Sequence, residues 1–260
     1  MDYPVKKYLG QNFLNDSRVI DMIIAQSEIK PLDYIIEIGP GIGALTTKIL
    51  AITKMIEVIE IDPDLINPLR QKCQGLGLIK ITNQDVLMVD FKKFFHGKKI
   101  RLIGNLPYNI GTLILFHLVQ FSAYFEDMYF MLQREVVERV ISSHNNKSYG
   151  RLSVMMQYHF SVKGLLHISK ESFWPKPKVE SQMIRLIPFK KKPYVVNNYS
   201  LFQSIVKHSF QYRRKTLNNT LKIFAKTSEV LKNIPIDTRM RPENLTVSNF
   251  VDLSNYLERF

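Results

Sequence analysis

The stretch GNLPYNIG, Gly104 to Gly111, follows the apolar run KIRLI and places an asparagine, a proline and a tyrosine where a plain turn needs only Gly, Asn or Asp. Two neighbouring acceptors, the Asn105 side-chain oxygen and the Leu106 backbone carbonyl, can take both protons of an exocyclic amine. An adenine amine is a poor nucleophile because its lone pair is delocalised into the ring. Held by both protons, the nitrogen can pyramidalise and turn that lone pair toward an electrophilic carbon. Positioning and preorganised dipoles achieve this without a general base beforehand. Pro107 sets the backbone so that the carbonyl aims outward. Tyr108 can then lie against the face of the base, a contact worth roughly 1–3 kcal/mol. A tight strand exit with Tyr108 in the core would account for Pro107, but it gives Asn105 no reason to precede it.

A second constellation, EIGPGIGALT, sets Gly39, Gly41 and Gly43 at a turn from a strand into a helix, where the backbone can approach a ligand and the helix offers unpaired amides. The same letters satisfy the dinucleotide pattern G-x-G-x-x-A. Glu60, about 20 residues beyond Gly39, can accept both hydroxyls of a ribose and suits either cofactor. Asp62 reads instead as the N-cap of a helix beginning at Pro63. Glu37, two positions before the first glycine, is odd for dinucleotide folds and common where S-adenosylmethionine is bound. Asp85, in TNQDVL, fits the same reading by accepting from the adenine amino group of that cofactor; its alternative is to cap a turn.

The elements that must position these residues alternate. A helix starts at Asp16, with Val19, Ile20, Ile23 and Ile24 at helical spacing. Strands are read at Tyr34–Ile38, Ile56–Ile61, Leu78–Thr82, Lys99–Ile103 and Met128–Leu132, with helical segments between them, and two more near FSVKGLLHI and QMIRLI. The fold class is therefore α/β, a doubly wound, mostly parallel, Rossmann-like sheet; with the S-adenosylmethionine reading of Glu37 and Asp85 it is expected to be of the class I methyltransferase kind. KKKPYVVNN reads as a linker, after which LFQSIVKHSF, TLNNTLKIF and NFVDLSNYL are helical. The division is a catalytic domain over 1–190 and a small C-terminal α-helical domain over 191–260.

Lys plus Arg is 36 against 23 for Asp plus Glu, and the last 71 residues hold 13 of the basic and 5 of the acidic residues. Such an excess points to a polyanionic partner. Arg213, Arg214 and Lys215, in QYRRKTLNN, are candidates to hold RNA phosphates. The single cysteine, Cys73, cannot form an internal disulfide, and the 6 histidines show no metal-site spacing with it, so no metal is expected. No apolar run is long enough to span a membrane and the N-terminus lacks the apolar centre of a secretory signal. The expectation is a monomeric cytoplasmic protein.

Taken in order, GQNFL, EIGPGIGALT, Glu60 with Asp62, QDVL, NLPYNI, MLQREVVERV, YGRLSV, FWPKPKVES and RPENL resemble the ribosomal RNA adenine dimethyltransferases acting on the small subunit. The likeness spans nearly the whole chain; Tyr8-Leu9 departs from it, standing where basic residues are usual. The resemblance implies methyl transfer from S-adenosylmethionine to two adjacent adenines near the 3′ end of small-subunit RNA, in an immature subunit. It further implies that Asn12 and Leu14 touch the methionine part of the cofactor, together with Gly39, Gly41, Glu60, Asp85 and Asn105. Phe173 is implied to meet the flipped base opposite Tyr108; from the residues alone it reads as a core aromatic. Two alternatives stay open: an erythromycin-resistance-type enzyme for one large-subunit adenine, and a chiefly non-catalytic assembly or transcription factor that keeps the fold for binding.

Overall fold

A computed structural model describes residues 4–225 and 227–260. Contacts divide the chain into two compact units. One runs through Val137 and resumes over Val162–Pro188; the other joins Glu138–Ser161 to Phe189–Phe260. The segment Glu138–Ser161, which the sequence reading places in the first domain, thus packs with the C-terminal part.

The first unit opens with a two-residue strand, β1 (Phe13–Leu14), and helix α1 (Ser17–Gln26). Asp16 caps α1, its Oδ1 accepting from the Arg18 and Val19 amides at 3.0 and 3.3 Å. There follow β2 (Ile35–Ile38), α2 (Ala44–Thr53), β3 (Met55–Glu60), α3 (Ile66–Cys73), β4 (Leu78–Asn83), β5 (Ile100–Asn105), α4 (Gly111–Val119) and β6 (Phe125–Gln133). After α5 (Arg134–Ile141) and α6 (Arg151–His159) come β7 (Phe160–Ile168), β8 (Phe173–Trp174) and β9 (Ser181–Pro188).

Seven strands form one sheet in the order β4-β3-β2-β5-β6-β9-β7. The first five run parallel, and β9 enters antiparallel to β6. All four residues of β2 are buried, as a central parallel strand covered on both faces requires. Ile23, Ile49, Leu50, Val58, Leu69 and Met131 are among the residues of the main apolar cluster, which joins helices α1, α2 and α3 to the sheet. β5 and β2 approach closely: Gly104 lies opposite Ile38, and a Cβ on Gly104 would stand 2.4 Å from the Ile38 carbonyl oxygen. Away from this sheet, β1 pairs antiparallel with β8, Phe13 opposite Trp174 and Leu14 opposite Phe173.

In the second unit α7 (Tyr199–Gln211), α8 (Leu217–Thr220), α9 (Ser228–Lys232) and α10 (Val247–Leu257) follow the linker. TLNNTLKIF is not the long helix its apolar spacing suggests. It is helical only over α8, and Leu221–Phe224 beyond it form a bend and turn. The His159 ring nitrogen meets the Tyr199 hydroxyl at 2.7 Å, inside a cluster with Tyr158 and Phe202. Burial holds that imidazole near a pKa of about 3. RPENL is architectural here: Glu243 pairs with Arg213 at 2.5 Å, and Asn244 donates to the Asn145 side chain at 2.9 Å.

Candidate active site

The carboxyl ends of β2, β3, β4 and β5 open onto a cleft of about 940 Å³ including its mouth. Crevices at this edge are where open parallel sheets hold ligands. The cleft is lined by Asn12, Leu14, Gly39, Gly41, Glu60, Asp85, Asn105, Leu106, Pro107 and Tyr108. Gly43 of the glycine turn is not among the lining residues, and of the residues anticipated to touch cofactor or base Phe173 alone lies off this wall. It is buried in the apolar cluster with Leu14, its partner across β1 and β8.

Asn105 is the last residue of β5 and is half-buried. Its amide nitrogen donates to the Asn12 carbonyl at 2.7 Å. A carbonyl can only accept, so this bond fixes which end of the amide is nitrogen and which is oxygen. The other end, Oδ1, is buried and has no hydrogen-bond partner. A buried amide oxygen left unpaired costs about 1–3 kcal/mol, and a ligand N–H arriving there recovers it. The adjoining Leu106 amide is tied to the Met131 carbonyl at 3.1 Å, which sets the loop against the end of β6.

The glycine turn is shaped for close approach. Gly41 has φ +55°, and a Cβ there would meet two atoms of the Phe13 ring at 2.9 and 3.0 Å. The Gly41 amide donates to Glu60 Oε2 at 3.1 Å and the Asp62 amide to Oε1 at 2.9 Å. Each carboxylate oxygen keeps a further lone pair for a ligand hydroxyl. Asp62 is fully buried and caps the turn at Pro63, as its place in the sequence suggests. It has a second task that sequence does not disclose: it holds Lys6 at 2.6 Å and the Gln11 amide at 2.7 Å, pinning the segment before β1 over the cleft. Asp85 both lines the cleft and caps a turn, its Oδ1 accepting from the Leu87 amide at 2.9 Å.

Three carboxylates, Glu37, Glu60 and Asp85, line the cleft, and among the described residues no Lys, Arg or His does. A lining with no cationic side chain offers nothing to neutralise the pyrophosphate of a dinucleotide. Glu37 is buried and accepts from the Thr46 hydroxyl at 2.6 Å. Burial is the main cause raising its pKa to about 8, with the Glu60 charge adding to it and the Thr46 bond opposing it. Glu60 is raised in the same direction, chiefly by burial. Between the ordinary carboxylate range and about pH 8 the folded protein therefore keeps a proton that the unfolded chain releases, and stability falls as pH rises through that window. Glu37→Gln should flatten the fall. Urea midpoints across the window test this, and an unchanged slope in the variant would assign the proton to another group.

The chain is 48% identical to "Ribosomal RNA small subunit methyltransferase A" of Francisella tularensis subsp. novicida, over 97% of each chain. In structure it is similar to a dimethyladenosine transferase from Plasmodium falciparum, with TM-score 0.77, 24% identity, and 93% of this chain and 95% of that one covered. It is also similar to the 23S rRNA methyltransferase ErmE, with TM-score 0.71, 23% identity, and 95% and 99% covered. Those two likenesses establish the class I methyltransferase fold that the strand order already displays. The model of the family described as ribosomal RNA adenine dimethylase matches residues 4–259, so the protein belongs to that family.

Proposed function

We propose that this protein transfers methyl groups from S-adenosylmethionine to the exocyclic amines of two adjacent adenines near the 3′ end of small-subunit ribosomal RNA, in an immature subunit. The observation that carries the reading is the buried, unpartnered Asn105 Oδ1, on a residue that lines the cleft and whose amide is oriented by the Asn12 carbonyl. S-Adenosylmethionine supplies the methyl on a sulfonium, so transfer makes one C–N bond and breaks one C–S bond, and the surplus amine proton leaves afterwards.

The chain's own groups do the rest. Glu60 receives the ribose hydroxyls, Asp85 the adenine amine of the cofactor, and Asn12 and Leu14 flank its methionine end. Asn105 Oδ1 and the Leu106 carbonyl take the two protons of the target amine, and the Tyr108 ring supports the base. Phe173 would have to leave the core to reach that base, a movement linked to β1 through their pairing.

The 48% identity to a protein named for the small subunit favours that RNA over a large-subunit adenine. Labelled S-adenosylmethionine offered separately to immature small subunits, large subunits and DNA decides it, with the labelled base then mapped. Label on large subunits alone would defeat the proposal.

The RNA-facing role of the basic turn after α7 narrows to two residues. Arg213 is committed to Glu243 and to the Asn146 carbonyl, whereas Arg214 and Lys215 are exposed. Exchanging both Arg214 and Lys215 for alanine should reduce the salt dependence of RNA binding by about one to two released counterions. Affinity measured across a salt series checks it; an unaltered slope would remove this turn from the interface.

A further inference from the structure

Tyr108 stands three residues beyond the end of β5, yet its hydroxyl is hydrogen-bonded to the Ser181 hydroxyl on β9. The two strands are not neighbours, since β6 lies between them. Ser181 opposes Gln133, the last residue of β6, so Tyr108 reaches around the tip of β6 to make the bond. Ser181 is fully buried and is paired in the sheet with Gln133. The preceding Glu180 accepts from the Arg134 amide through its carbonyl at 2.9 Å and from the Lys170 amide through its carboxylate at 2.9 Å.

We infer that Ser181 is a positioning residue for the methylation reaction: it fixes the Tyr108 ring from its far end so that the ring's face is preset for the target base. This rests on the proposed adenine methylation and on Tyr108 as the platform beneath the base.

The reason is geometric. The backbone at Pro107-Tyr108 anchors the ring at its Cβ, and a tyrosine held only there can still turn about both side-chain torsions. A second anchor at the para position removes that freedom before the base arrives, which is the entropy a positioned platform must otherwise lose on binding. Burial also raises the Tyr108 pKa, so the hydroxyl stays protonated and the bond persists at neutral pH. Ser181 closes the segment that starts at Phe173, so the same bond joins the NLPY loop to that segment.

The test is a double-mutant cycle on Ser181→Ala and Tyr108→Phe, with immature small subunits and saturating S-adenosylmethionine. Each single variant should lower kcat by about threefold to tenfold, the range of one ordinary hydrogen bond. The dissociation constant for S-adenosylmethionine should not change in either. The double variant should be no slower than the singles, because both remove the same bond. A purely structural role would lower the melting temperature and leave kcat alone. Tyr108→Phe at the parent rate, or a double variant slower by the product of the single effects, overturns the inference. If Ser181→Ala fails to fold, Tyr108→Phe alone still reads the bond. The parent protein is the control for the reading beneath: if it methylates no adenine, the proposed function fails, whereas an active parent with unaffected variants removes Ser181 only.

Discussion

Asn105→Ala should lower turnover by a factor of about a hundred to a thousand at saturating S-adenosylmethionine, the loss expected when a preorganised acceptor is removed from a transition state. Its Oδ1 matters most as the target amine becomes tetrahedral, so the penalty falls on kcat more than on binding. RNA affinity should barely move, since charge and stacking supply it. Cofactor affinity should weaken modestly, because the Asn105 amide also ties the Asn12 carbonyl and with it one wall of the cleft. Single-turnover rates and equilibrium binding separate these effects. A variant that methylates at the parent rate would mean that the target amine is gripped elsewhere.

Gly104→Ala should be nearly as damaging, through the scaffold. The added Cβ would sit 2.4 Å from the Ile38 carbonyl oxygen and 3.3 Å from its carbonyl carbon, against backbone that cannot swing aside. To relieve the contact, β2 and β5 must part at the edge where the glycine turn and Asn105 face each other. Overpacking of this kind costs about 3 kcal/mol, which lowers the melting temperature of a protein of this size by about 6–12 °C. Calorimetry reads this directly. Melting within a degree or two of the parent would show that the two strands separate freely. Turnover should fall as well, since the displacement is passed to Asn105, the next residue.

The main strands and helices were legible because each is a run of apolar residues with a single period. Asp16 and Asp62 were legible as caps because a carboxylate before a helical turn has few other uses. Gly39, Gly41, Glu60, Asp85 and NLPY could be recognised as ligand-facing by residue type, and all of them line one cleft. What stayed hidden depends on partners distant in sequence. β1 and β8 are two residues each and carry no period, so only their pairing defines them. The orientation of the Asn105 amide is set by a backbone carbonyl, which every residue possesses and no sequence displays. Nothing in the sequence pairs Lys6 and Gln11 with Asp62, more than fifty residues away, yet both bond to its carboxylate. Arg213 resembled its neighbours in a basic run, and only its ion pair with Glu243 separates it from them.

The place of β9 in the sheet sets an order on biosynthesis. It is the last strand of the first unit to be made, yet it lies inside the sheet, between β6 and β7. While the chain emerges from N- to C-terminus, the five parallel strands can assemble, but β6 keeps an open edge until residues 181–188 are available. β7, already made, has no sheet neighbour to dock on before then. A chain halted ahead of Ser181 would thus carry every residue of the glycine turn and of NLPY while lacking the partner that holds the Tyr108 hydroxyl. A stalled or truncated product would expose a sticky strand edge, and the base-binding platform is completed only as that edge is closed.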